Sequence, residues 1–160
     1  MSLSKFELYH GAVLLQIIRN PAVNIKLIDK SDDLEWSSYE VISKNTTHKV
    51  FVKSTSKVSI SKSKSPYYYA GFSFSISDIN RLRKINEDRN LLICLVCADK
   101  EICTLNWSDI DELRLLFIKE SASIRISWTN GSRLRIKCRG KELESTVPRN
   151  RLKMYNWVNV

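Results

Sequence analysis

Glycine, proline and histidine are scarce in this chain of 160 residues, which holds four, three and two of them. Neither G-x-G-x-x-G nor G-x-x-x-x-G-K-[ST] occurs, which excludes a glycine-rich loop whose backbone N–H groups cradle nucleotide phosphates. His10 and His48 stand far apart, no H-x-x-x-H offers a metal pair, and no G-x-S-x-G marks a nucleophilic serine. Long apolar runs are missing as well. The longest, Leu91 to Ala98, falls far short of the roughly 20 residues that span a bilayer as a helix, so no membrane partner is expected. The N-terminal stretch has no basic segment leading into an apolar one, so no signal peptide is read and a cytoplasmic location is expected.

Cysteine is limited to Cys94, Cys97, Cys103 and Cys138, all in apolar or alternating contexts. Cys94 and Cys97 have the C-x-x-C spacing of zinc and redox sites, but their run reads as a strand, where positions three apart point to opposite faces. The four are expected to be small buried hydrophobes, with no disulfide and no bound metal.

What is present is a globular composition, 43% hydrophobic and 27% charged, in a length that suits one domain, 1–160, with its own core. Ser4-Lys5-Phe6-Glu7 is a capping box, and Phe6, Tyr9, Val13 and Ile17 recur at helical spacing, predicting a helix over about 5–19 that stops at Asn20-Pro21. Three short strands follow at 23–28, 37–43 and 49–53 as a meander. Residues 54–65, rich in Ser, Lys and Thr, read as a surface loop. Phe72 and Phe74 alternate with Ser73 and Ser75, Ser77-Asp78 caps a helix over 77–86, and Leu91 to Ala98 is a strand buried on both faces. Asp99-Lys100 turns it into a hairpin with 102–105, and a third helix runs from Ser108 to about Ile118. The expected class is therefore α+β with an α/β-like core over 1–98 and a C-terminal extension over 99–160.

The extension carries a β-hairpin at 123–139 around Asn130-Gly131. A two-residue turn would set Ile126 beside Arg135, against the alternation of both strands. A three-residue loop over 129–131, with Gly131 left-handed, pairs Ile126 with Leu134 and Ile124 with Ile136, and is the expected register. Arg125, Arg133, Arg135, Lys137 and Arg139 then share one face by parity.

Charge is segregated within the net +9. From Val41 to Ser77 there are six lysines, at 44, 49, 53, 57, 62 and 64, and no acid; from Ser123 to Lys153 there are nine Lys/Arg against two Glu. The remainder is net acidic. Two basic zones on an acidic body are the footprint of a polyanion partner, because neutralised phosphates release counterions. DNA or RNA is the expected partner, held by the hairpin face together with Lys57, Lys62 and Lys64. Tyr67, Tyr68 and Tyr69 add rings that could stack on bases.

The order helix, three strands, helix, strand over residues 4–98 resembles the core of the PD-(D/E)xK superfamily, the restriction-endonuclease-like nucleases. That resemblance implies a carboxylate near the second strand and an acid-x-Lys on the third, binding Mg²⁺ and positioning a water, with a Glu on the first helix assisting. The matching positions are Glu40, Lys53 and Glu7, but the third strand reads Phe51-Val52-Lys53, with Phe51 where the metal-binding acid belongs. The expectation is a nucleic-acid-binding protein on a nuclease-like scaffold with impaired catalysis and no cofactor. An active nuclease with rearranged acids, among them Asp32, Asp33 and Glu35, would need Mg²⁺. A non-enzymatic interaction module is the third class, and a homodimer is left open.

Overall fold

In a computed structural model, which describes residues 4–157, the capping box at Ser4 starts helix α1, Lys5–Ile18. Ser4 Oγ accepts from the Glu7 N–H while the Glu7 carboxylate accepts from the Ser4 N–H. The meander follows as strands β1, Asn24–Lys30, β2, Trp36–Ile42, and β3, Thr47–Thr55, all antiparallel. β3 runs past the expected end at Lys53, and residues 59–60 form a short strand β4, so the expected surface loop is partly a hairpin.

Strand β5, Tyr68–Phe74, leads into helix α2, Ile76–Ile85, and then strands β6, Leu91–Cys97, and β7, Glu101–Leu105. The cap of α2 is Ser75 rather than Ser77-Asp78. Asp78 sits three positions on and returns the bond to the Ser75 N–H, so the helix begins earlier than expected. Helix α3, Trp107–Glu112, is shorter than the expected run to Ile118. Arg114 turns left-handed at φ 55°, a 3₁₀ turn over Leu115–Phe117 follows, and the carbonyls of Leu116 and Ile118 accept from the Arg83 guanidinium instead of continuing a helix. Strands β8, Ala122–Trp128, β9, Arg135–Cys138, and β10, Lys141–Glu142, complete the α+β fold.

The described residues form two five-stranded sheets, in the orders β1-β2-β3-β6-β7 and β10-β9-β8-β5-β4. The first is mixed, with β6 parallel to β3; the second is antiparallel throughout. Because β5 belongs to the same sheet as the hairpin strands β8 and β9, the segments before and after residue 98 share one core. That core joins Trp36, Phe51 and Ile93 of the first sheet to Phe72, Phe74, Ile124 and Ile136 of the second, with Ile79, Leu82 and Ile110 from the helices. On the other face of the first sheet, Val13 and Ile17 of α1 pack with Val50, Val52, Leu92 and Cys94, and Leu152 and Trp157 close the layer. Cys94 and Cys97 therefore fall in opposite clusters, and all four cysteines are buried and free.

The hairpin register differs from expectation by two residues. Ile126 pairs with Ile136 and Ile124 with Cys138, whereas Leu134 bridges Val147. The parity is the expected one, so the apolar stripe still faces inward. The turn is longer because Ser132 closes it: its N–H donates to the Thr129 carbonyl and its Oγ accepts from the Thr129 N–H, with Gly131 at φ 76°. Among the described residues no helix is long and apolar enough to cross a membrane.

Candidate nucleic-acid interface

Alternation along β5, β8 and β9 sends Phe72, Ile124 and Ile136 inward and sends the polar residues to the outer face of the second sheet. Registry lines them into rows. Gly71, Arg125, Lys137 and Glu142 stand opposite one another across four strands, and Tyr69, Ser127 and Arg135 form the next row. A groove of ≈ 660 Å³ opens on this face, lined among others by Tyr67, Arg125, Arg133, Arg135, Lys137 and the single acid Glu142. The Arg125 guanidinium lies 4.2 Å over the Tyr69 ring, and Tyr67 and Tyr69 have ring centroids 6.0 Å apart. Arg133 lies outside β9, but its guanidinium donates to the hydroxyl and carbonyl of Thr146, which holds it at the groove. Planar guanidinium forks beside an ammonium suit phosphate oxygens, which they can engage in bidentate fashion.

Arg139, expected on the same face, does not line the groove. It occupies a tight left-handed turn with Gly140, at φ 52°, and pairs with Glu120 at 2.8 Å. Other members of the two basic zones are also neutralised: Lys49 by Glu40, Lys53 by Asp78, Arg149 by Glu101 and Arg151 by Asp109. Lys57, Lys62 and Lys64 are exposed. Residues 61–67 form a loop closed by the Ser61 N–H donating to the Tyr67 carbonyl. Since Tyr68 pairs with Trp128, that loop and the Thr129–Ser132 turn lie at the same end of the sheet, which brings Lys62 and Lys64 to the end where Tyr67 enters the groove.

The positions matched to a nuclease centre are not brought together. Glu40 is the cross-strand partner of Lys49, 3.0 Å away, whereas Lys53 pairs with Trp36, four residues along the strand, or about 13 Å. Glu7 is on α1, which packs on the opposite face of the sheet, and its carboxylate is held in the helix cap. Phe51, at the acid position, is fully buried and stacks on Trp36 with centroids 5.8 Å apart. These residues do not fit a shared Mg²⁺ site. Among the described residues no cluster of three or more His, Cys, Asp or Glu side chains is placed to hold a metal ion. Asp32 and Glu35 are exposed, and Asp33 accepts from Ser31 Oγ and the Glu35 N–H, bonds that hold its carboxyl below the usual range.

Lys53 instead points into a second, smaller groove that also takes in Glu35, Asp78 and Arg81. Asp78 accepts from Lys53, from the Ser75 N–H and from Arg81, whose guanidinium also lies 4.3 Å over Trp36. This carboxylate is committed on both oxygens, and the only sequence signal for it is the spacing Ser75-x-x-Asp78. Behind the sheet, His10 is buried with Ser37 Oγ 2.6 Å from Nδ1 and Ser54 Oγ 3.3 Å from Nε2, and burial pushes its pKa down to about 4. The three tyrosines expected together do not share a face: Tyr68 turns inward with Phe72 and Phe74 and stacks on Trp128, whereas Tyr69 takes the outer side of the strand. No protein-family model matches the chain, and no curated protein and no solved structure matches it significantly.

Proposed function

We propose that this chain is a nucleic-acid-binding protein that grips phosphates with the outer face of its second sheet and is catalytically impaired relative to the PD-(D/E)xK nucleases it resembles. The observation that carries the reading is one groove lined by Arg125, Arg133, Arg135 and Lys137 against a single carboxylate, Glu142. Impaired catalysis is supported by Phe51 in the acid position and by the separation of Glu7, Glu40 and Lys53. Among the described residues no helix lines the groove to enter a major groove and read base edges, so binding has little sequence preference.

The test is equilibrium binding of the full chain to unrelated duplexes of about 30 base pairs, and to RNA, from about 50 mM salt upward. The combined substitution Arg125→Ser, Arg135→Ser and Lys137→Ser weakens binding equally for all sequences and lowers the log–log salt slope by roughly 0.9 per lost phosphate contact on B-DNA. These side chains face away from the core, so the variant keeps its melting temperature. Absence of binding by the wild type at about 50 mM salt overturns the proposal. Plasmid incubated with the protein and Mg²⁺ or Mn²⁺ stays intact; nicking overturns the impaired-catalysis part alone.

A further inference from the structure

Phosphate contacts do not distinguish a duplex from a single strand, but the groove holds more than cations. β5 alternates so that Tyr68 is packed inward on Trp128 while Tyr69 takes the outer side opposite Ser127, and Tyr67, just before the strand, lines the groove. The Arg125 guanidinium lies over Tyr69, so an aromatic ring and a planar cation sit in contact beside the groove. Gly71, the next outward position of β5 after Tyr69, lies directly opposite Arg125 and has no side chain. A Cβ placed there meets nothing within 4 Å, so the glycine answers no packing demand and leaves open floor beside the ring. Arg135 and Lys137 bound this floor on the β9 side, and Lys62 and Lys64 lie at the end where Tyr67 stands.

We infer that this patch is a stacking platform for unpaired nucleotides, so that the ligand of the proposed phosphate-binding face is single-stranded nucleic acid rather than duplex. The inference rests on that reading of the face. A duplex keeps the faces of its bases stacked on one another and offers only edges, so rings on a sheet surface gain nothing from it. A single strand lays its backbone along the cations and turns bases onto Tyr67 and Tyr69, which is sequence-tolerant because every base has a π-face.

Fluorescence anisotropy of the full chain against four labelled probes of equal length tests this: oligothymidylate, oligouridylate, a blunt duplex, and a strand with abasic residues throughout. The two base-bearing single strands bind at least about tenfold tighter than the duplex and the abasic strand, and Tyr67→Leu with Tyr69→Leu removes that preference. Tyr69→Phe keeps the ring and keeps the preference; unchanged thermal melting of each variant excludes misfolding. Thymidylate and uridylate arms that differ assign the strand to DNA or RNA. If the duplex or the abasic strand binds as tightly as the single strands, or if the leucine variants retain the preference, the stacking platform is overturned and the phosphate-binding face stands. If no probe binds, both are overturned.

Discussion

Lys53 Nζ lies 3.1 Å from Asp78 Oδ2 between the two sheets, with the side chains only 7% and 8% exposed. The pair is asymmetric. Asp78 keeps the Ser75 N–H and Arg81 when Lys53 is removed, whereas among the described residues Lys53 pairs with no other anion. Asp78→Asn is therefore expected to destabilise by about 3–5 kcal/mol, the range for breaking a buried pair and stranding its charge. Lys53→Met costs less, since its methylenes still pack near Phe74 and the carboxylate stays neutralised. Urea unfolding of both variants measures the order, and a larger loss for Lys53→Met would contradict it.

His10 makes stability fall in mild acid. Its pKa is about 4 in the fold and 6.5 when exposed, so between those values the unfolded chain binds the proton that the folded chain refuses. Stability is full above about 6.5, declines as pH falls toward 4 and levels off below. His48, also lowered by burial, adds in the same direction. Denaturation midpoints across this window are expected to drop for the wild type and to drop less for His10→Gln. Equal pH dependence in the two proteins would remove His10 from the account.

The four thiols are protected in the folded state. Burial pushes Cys94 and Cys97 up to about 12, Cys103 well above its ordinary value and Cys138 up as well. At pH 8 a disulfide reagent is expected to find almost no thiolate in native protein and all four thiols in denaturant. Cys138, at the end of β9 beside Arg139, reacts first. Rapid native labelling of Cys94 would show that the first sheet opens.

Gly131 and Gly71 separate backbone strain from crowding, because a Cβ meets nothing within 4 Å at either. Gly131 has φ 76°, so Gly131→Ala costs about 1–2 kcal/mol of left-handed strain. Gly71 lies in ordinary strand conformation, so Gly71→Ala leaves stability unchanged or raises it by about 0.4–1 kcal/mol. Calorimetric melting of the two variants reads the contrast directly. Equal losses would mean that the Gly131 turn relaxes.

Local patterns in the sequence determined much of this protein. The Ser4 to Glu7 box starts α1, alternation sets the inward stripe of β8 and β9, and strand parity separates Cys94 from Cys97, because each depends on residues a few positions apart. Parity also put Arg125, Arg135 and Lys137 on one face. Contacts between distant segments lay beyond those patterns. Only the tertiary structure placed β5 beside β8, which set Tyr69 under Arg125 and left Gly71 open opposite it. Only it gave Lys53 to Asp78, Lys49 to Glu40 and Arg139 to Glu120, withdrawing those charges from the basic zones. The hairpin register moved by two residues, and Leu134 bridges Val147, a partner 13 positions away that strand alternation cannot name. Periodicity tells which face a side chain takes, whereas sheet order and the pairing of buried charges follow from which distant surfaces pack together.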